Sequence, residues 1–297
     1  MKLLRKLNKI LHLQTTIHET VVNCVDTQRK IDVLTNCAKT SSERGVSDSA
    51  ICDEEVVVSL TSFGERIFDV YLSIESIMQG TIKPNRIVLW LAEDSKNIEL
   101  PIVLKKQMSR GLEIRYCKDL RSFKKLIFAL KEFPDSTIIT IDDDILYPFD
   151  FLENLINTHK CFPHMLCTNC VHPIRPEFIK NDIPCTRWGL TTEPRTILDM
   201  YIAEGFSGVL YPPQSLDIEV FNEDVFMNIC KYADDIWFSA MAIRNNTKCV
   251  YSYPHAGFFR YTENPNVQTT ALKNINRSGA SLNTVQLKNV FQKYGLC

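Results

Sequence analysis

"STIITIDDDILYP", Ser136 to Pro148, runs from β-branched apolar residues straight into three aspartates. Ile138, Ile139, Thr140 and Ile141 suit a buried strand. Asp142, Asp143 and Asp144 follow at once, with no basic residue beside them. Adjacent carboxylates repel one another unless water, hydrogen bonds or a cation takes up the charge. The fold and the chemistry both turn on what this strand end holds.

Upstream, apolar runs and helical patterns alternate. "EVVVSL" (Glu55–Leu60) reads as a first strand, closed by "TSFGER". "IFDVYLSIESIMQG" carries Ile67, Val70, Tyr71, Ile74 and Ile77 at helical spacing and stops at Gly80. "RIVLWLA" (Arg86–Ala92) is a second strand, with "EDSKN" after it as a polar loop. "LPIVLKKQMSRG" predicts a helix ended by Gly111, and "LEIRYC" a third strand. "FKKLIFALKEFP" (Phe123–Pro134) predicts a helix stopped by proline, and "STIITI" is the fourth strand. This alternation predicts an α/β fold around a mostly parallel sheet flanked by helices. Ligands of such sheets collect at the carboxyl ends of the strands, where the three aspartates stand.

Downstream the signals thin out. "DFLENLINTHKCF" and "DDIWFSAMAIRN" (Asp234–Asn245) predict helices, "KCVYSY" a strand and "PHAGFFRY" a loop or hairpin. Residues 161–213 show little periodicity. At the other end, residues 1 to about 40 predict a helix, with Leu3, Leu7, Ile10 and Leu11 opposite Lys2, Arg5, Lys6 and Lys9. Such a helix either lies on an anionic membrane surface, or docks on its own domain or a second copy. Lys39–Glu55 is polar and reads as a linker. The organisation expected is therefore an extension over 1–50 and a domain over 51–297, with one half at about 55–150 and a second at about 151–297.

Composition bounds the function. The 297 residues are 45% hydrophobic, enough for a real core, and the net charge is −1. That balance lacks the basic excess of a nucleic-acid binder. No apolar run approaches the ~18 residues of a spanning helix. The N-terminus does not read as a secretory signal, and the eleven cysteines are an odd number. They are expected to be reduced thiols in a cytoplasmic protein.

A strand-end Asp-x-Asp has a specific use. Hard carboxylate oxygens bind Mg²⁺ or Mn²⁺, and the ion in turn binds a diphosphate. If strand geometry persists, Asp142 and Asp144 point to one side. The alternative is a turn in which aspartates cap the next helix.

The segment "SFKKLIFALKEFPDSTIITIDDDILYP" resembles bacterial nucleotide-sugar glycosyltransferases of the GT-A fold, including relatives of the inverting family 2. "VVVSLTSFGERI", "GFSGVLYPP" and "ADDIWFSAMA" fit the same pattern in the expected order. The resemblance implies transfer of a sugar, from UDP by preference, to a hydroxyl of a surface glycan or lipid-linked glycan, with Mn²⁺ or Mg²⁺. It makes Asp144 the direct metal ligand and gives Asp142 the ribose or a water-mediated contact, with Asp143 shaping the turn between them at the donor. Thr61, Glu93 or Asp94, and Lys125 fall near the nucleotide and diphosphate. Gly208 lies in the loop under the donor sugar. Asp235, then Asp234, supplies the general base, and His255 joins the metal. Each has a plainer reading: a solvated helix face for Lys125, a tight turn for Gly208, an N-cap for the acidic pair, a structural imidazole for His255. The helix at the N-terminus would then hold the enzyme at the inner face of the cell membrane.

Two rivals remain open at this level. A sugar-phosphate nucleotidyltransferase would share the metal-binding half. A non-catalytic scaffold would use the cluster His159, Cys161, His164, Cys167, Cys170, His172 and Cys185 as structural zinc ligands; packed core thiols are the alternative for that cluster.

Overall fold

Val56, Val57, Val58 and Leu60 are completely buried because β1 (Val56–Thr61) is covered on both faces. This explains its unbroken apolar run, since a strand with one wet face would alternate. The computed structural model describes residues 23–181, 183, 187–253, 262–270 and 282–296. Beside β1 lie β2 (Arg86–Ala92) and β3 (Leu112–Cys117) on one side and β4 (Thr137–Thr140) on the other, all parallel. A two-residue strand, β5 (Ile145–Leu146), follows the aspartates.

The sheet continues with strands of two or three residues: β6 (Leu166–Thr168), β8 (Ile197–Leu198), β10 (Val209–Tyr211) and β11 (Cys249–Tyr251). Its order is β3-β2-β1-β4-β10-β6-β11-β8. Only β10 and β8 run against the other six, so the sheet is mostly parallel. A small ribbon, β7 (Val171–Pro173) with β9 (Tyr201–Ala203), sits apart, and β12 (Thr262–Glu263) pairs with β5.

Alternate residues of β1 feed two cores. Val57 joins Val88, Trp90 and Ile138 on the face covered by α4 (Lys124–Glu132) and α8 (Asp234–Arg244), to whose core the short helices α6 (Pro176–Lys180) and α7 (Glu223–Ile229) add Phe178 and Phe226. Val56, Val58 and Leu60 join Ile87 and Leu89 on the face covered by α2 (Tyr71–Met78), α3 (Ile102–Met108) and α5 (Phe151–Cys161). The period of two decides which helix each side chain meets. The architecture is a mixed α/β fold with helices on both faces of the sheet, as expected.

Residues 23–40 form helix α1, which docks on α2: Leu34 is buried against Leu72 and Leu146, and Lys30 Nζ donates to Leu146 O at 2.7 Å. The face carrying Leu3, Leu7, Ile10 and Leu11 lies outside the described residues. The polar stretch after α1 has no regular structure, yet it is strapped to the body. Gly45 N donates to Arg110 O and Ser47 N to Pro84 O, both at 2.9 Å, and Val46 is buried. A Cβ on Gly111, whose φ is +112°, would meet Val46 Cγ2 at 2.4 Å, so the strap needs glycine there. Among the described residues no helix is long and apolar enough to cross a membrane.

Two local differences have simple causes. The expected helix from Ile67 starts late: Gly64–Phe68 winds as a 3₁₀ turn before α2, and buries Arg66 as well as Ile67. The short strands of the second half escape periodicity because two or three residues are too few to alternate visibly.

Candidate active site

The strand order 3-2-1-4 changes winding direction between β1 and β4, and the crevice at their carboxyl ends is where such folds bind ligands. From β1 come Thr61, Ser62 and Arg66; from β4 come the three aspartates. β10 runs back along β4, Val209 opposite Thr140, so the Gly205–Gly208 loop also arrives at this end. The N-terminus of α8 supplies Asp234 and Asp235.

The charge of the triplet is met by two cations distant in sequence. Arg66, buried, donates from Nε to Asp143 at 3.1 and 3.0 Å, pairs with it again through Nη2, and reaches Asp144 Oδ2 at 3.0 Å. Ser62 Oγ donates to Asp143 Oδ2 at 2.6 Å. Asp143, expected only to shape the turn, is thus the most tightly held of the three. Lys125, its side chain only 4% exposed, donates to Asp142 Oδ1 at 2.7 Å and lies 3.1 Å from Asp234 Oδ2. The solvated-face reading of Lys125 therefore fails. Lys124 instead pairs with Asp119, and Lys131 stands over the rings of Phe128 and Phe221.

Lys125 is held from behind. Ser59 Oγ donates to the Lys125 carbonyl and accepts from Trp90 Nε1 at 2.9 Å, which pins the first turn of α4 to β1. Asp142 is positioned through its backbone: its N–H donates to Tyr147 Oη, which donates to Phe206 O, each at 2.9 Å. That relay joins the aspartate turn to the glycine loop.

Neither acidic group caps a helix. Asp150 is the N-cap of α5 and Ala233 that of α8, and neither cap makes a side-chain hydrogen bond. Asp234 Oδ1 accepts from Ser122 Oγ at 2.9 Å, and Asp235 Oδ1 accepts from Gly205 N at 3.0 Å. Both carboxylates face the crevice elements rather than their own helix. Gly205 is required: a Cβ would lie 2.5 Å from Asp235 Oδ1 and 3.0 Å from Lys125 Nζ. Gly208 has another task. With φ +80° it packs under α5, where a Cβ would meet Phe151 at 2.4 Å, and its carbonyl accepts from Thr168 Oγ1.

Burial, and after it neighbouring negative charge, governs protonation here. Burial, then the neighbouring Asp142 and Asp143, raises Asp144 to about 6, although Arg66 opposes this. Burial and Asp234 push the Asp235 carboxyl well above the usual range, with Lys125 pulling the other way and Glu204 and Asp142 adding to the rise. Glu204, next to the glycine loop, pairs with His172 Nε2 at 3.3 Å.

The outer expected residues are less committed. Thr61 Oγ1 donates to Trp90 O at 2.7 Å, so its hydroxyl is engaged with β2. Glu93 and Asp94 sit exposed in a 3₁₀ turn at the carboxyl end of β2, with Glu93 paired to Lys96. His255 lies outside the described residues, as does Cys185. Gln268 Nε2 approaches Asp144 Oδ2 at 3.4 Å, and Asn264 N donates to Asp144 O at 2.7 Å, so residues 264–268 close over the triplet. Arg66, Ser62, Ser122 and Glu204 join the site without having been foreseen, whereas Gly205 opens the quoted "GFSGVLYPP" loop. Of the four, Arg66 left a signal, as the single arginine of "TSFGER". In the cysteine-rich segment, Cys167 and Cys170 are buried free thiols, Cys161 is exposed, and burial pushes both core thiols up. They read as packed thiols.

No family model and no curated protein matches the chain. Among solved structures it is similar to a mannosyltransferase from Pyrobaculum calidifontis in complex with GDP-Man and Mn²⁺, at 11% identity and a TM-score of 0.41. The match covers 77% of this chain, which spans only 64% of that enzyme's length. It is also similar to a CMP:2-keto-3-deoxy-manno-octonic acid synthetase complexed with CTP, at 9% identity and a TM-score of 0.44, over 74% of this chain and 97% of that one.

Proposed function

We propose that the chain is a metal-dependent glycosyltransferase of GT-A type, taking a sugar from a nucleoside diphosphate, UDP by preference, to a hydroxyl of a surface glycan. One observation carries the reading: a single buried lysine, Lys125, joins the aspartate turn after β4 to the acidic pair opening α8. Among the described residues, five aspartates converge there on two cations, Lys125 and Arg66, so negative charge is in surplus. An all-oxygen set with surplus negative charge suits Mn²⁺ or Mg²⁺, which need few protein ligands because phosphates and water complete the shell.

Asp144 and Asp142 would hold that ion. When bound, it would neutralise charge developing on the departing diphosphate. Arg66 fixes Asp143 and Asp144 in place, and Lys125 does the same for Asp142. Asp235, when ionised, takes the proton of the attacking hydroxyl as the new glycosidic bond forms and the sugar–diphosphate bond breaks; a carboxylate whose pKa is raised is the stronger base. Gly205 keeps the space beside Asp235 clear of side-chain atoms. The acceptor is held at a membrane surface and reached through residues 1–22; deleting them should release the protein from membranes while leaving docked α1 intact.

The test is a panel of nucleotide sugars with Mn²⁺, scored for slow donor hydrolysis. Metal-dependent release of a nucleoside diphosphate from one donor, abolished in Asp144→Ala, is expected. Pyrophosphate release from a nucleoside triphosphate and a sugar phosphate would instead make the protein a nucleotidyltransferase. Inertness towards every donor would leave a scaffold.

A further inference from the structure

At the amino end of β1, opposite the crevice, a second group of ligand atoms converges. Cys52 Sγ, a Glu54 carboxylate oxygen and a His159 ring nitrogen all lie within 4.8 Å of one another, the one such trio among the described residues. Cys52 and Glu54 belong to the strap that leads into β1, and His159 to the last turn of α5. The six residues of β1 at about 3.3 Å each put this trio about 20 Å from the aspartates.

The contacts are those of a site rather than of a finished hydrogen-bond network. His159 Nε2 stands 3.3 Å from Glu54 Oε2, longer than the ~2.7–2.9 Å of a charge-assisted bond. Two ligands at ~2.0–2.1 Å from a tetrahedral zinc are separated by about 3.3–3.4 Å. The imidazole is 2% exposed, and its Nδ1 has no hydrogen-bond partner among the described residues. Its polar engagement is thus directed wholly at the trio. Thr137 Oγ1 lies 3.4 Å from the same Glu54 oxygen, an outer partner that orients the carboxylate. Cys52 Sγ donates to Glu54 O at 3.3 Å, which folds the strap so that thiol and carboxylate face the ring together.

We propose that Cys52, Glu54 and His159 bind Zn²⁺, which clips the strap before β1 to the end of α5. One sulfur, one nitrogen and one oxygen ligand make a borderline-soft set that favours zinc over Mg²⁺ or Mn²⁺. On binding, the thiol proton leaves to water and a zinc–sulfur bond forms. Thiolate and carboxylate then balance the charge of the ion, and water takes the fourth position beside the partly exposed Cys52 and Glu54. The ion is distinct in place and in chemistry from any bound by the aspartates, so either site stands without the other. Cys167 and Cys170 take no part.

Co²⁺ titration of the reduced, chelator-treated full chain tests this, because only a thiolate ligand gives a sulfur-to-cobalt charge-transfer band. The expected result is one equivalent per chain, displaced by Zn²⁺, with a rise in Tm of a few degrees. The band should vanish in Cys52→Ser, weaken in Glu54→Gln, and persist in Cys161→Ser and Asp144→Asn. Cys52 is only partly buried, so its serine variant keeps the fold, which far-ultraviolet circular dichroism checks. Absence of the band in the parent chain, or its survival in Cys52→Ser, overturns the proposal.

Discussion

Two buried ion clusters, one between α2 and the end of α3 and the other in the crevice at the strands' carboxyl ends, are built on opposite plans. Glu75 and Arg110, 0% and 2% exposed, pair one to one through Nη1 at 2.9 Å and Nη2 at 3.0 Å. Gln107 and Gln79 fill the remaining sites on the carboxylate at 2.8 and 2.7 Å. Both oxygens of the Glu75 carboxylate are thus engaged, with a full positive charge directly opposite. At the crevice, Lys125 faces Asp142 and Asp234 with Asp235 close by, and Arg66 divides itself between Asp143 and Asp144. A closed pair of the first kind holds helices together; the second kind keeps charge unsatisfied where a ligand can take it up.

The comparison breaks most visibly at Glu75. Glu75→Ala leaves Arg110 buried and unpaired, which is expected to cost about 3–5 kcal/mol in denaturant unfolding. Turnover per folded molecule should stay unchanged. Lost turnover would erase the distinction between the two clusters.

Lys125→Met reverses the pattern. Asp142 is half-exposed and the carboxylates can take up protons, so stability should fall less than in Glu75→Ala. Donor turnover should drop by ~10²–10³, as when one electrostatic contact to a reacting centre is removed. Steady-state donor hydrolysis and urea melts, made on the same preparation, read both quantities.

Gly208→Ala sharpens the division within the crevice itself. Its positive φ and the contact with Phe151 predict a loss of about 1–3 kcal/mol by overpacking. The same change at Gly205 should chiefly impair turnover, since the new methyl would meet Asp235 and Lys125.

The smallest effect concerns His172. Burial alone would lower its pKa, but the hydrogen bond and charge of Glu204 raise it above the ordinary value. A raised histidine stabilises the fold below its unfolded pKa of ~6.5, and that contribution is lost as pH rises through the folded value. With both side chains partly exposed, it amounts to less than about 1 kcal/mol. Thermal melts across neutrality should show the parent losing stability relative to Glu204→Gln. Parallel curves would remove the pair from the balance.

Much of this was legible in the sequence, and the reasons are local. β1, β2 and β4 show because runs of four to seven residues, buried on both faces, leave continuous apolar stretches; the partly buried edge strand β3 shows instead by alternating Leu112, Ile114 and Tyr116 with Glu113 and Arg115. The aspartate turn shows because it ends such a run. Lys125 was the lysine named, although Lys124 and Lys131 offer the same charge; in the fold its carbonyl is pinned by Ser59 and its ammonium meets Asp142 and Asp234. Arg66 stayed hidden because its partner Asp143 is 77 residues away, and no spacing rule links them. The strap read as a linker because it attaches by backbone hydrogen bonds and one buried valine, which leave no compositional trace. The zinc ligands were missed for a similar reason: His159 was counted with nearby cysteines, whereas the fold gives it Cys52 and Glu54.

Mn²⁺ titration followed by electron paramagnetic resonance, with and without the preferred nucleotide sugar, tests the central claim most directly. One Mn²⁺ per chain is expected, tightened by the donor, lost in Asp144→Ala and unaffected by Glu54→Gln. Equal Mn²⁺ binding by Asp144→Ala and the parent chain would contradict the assignment of the aspartate turn as the metal and diphosphate site.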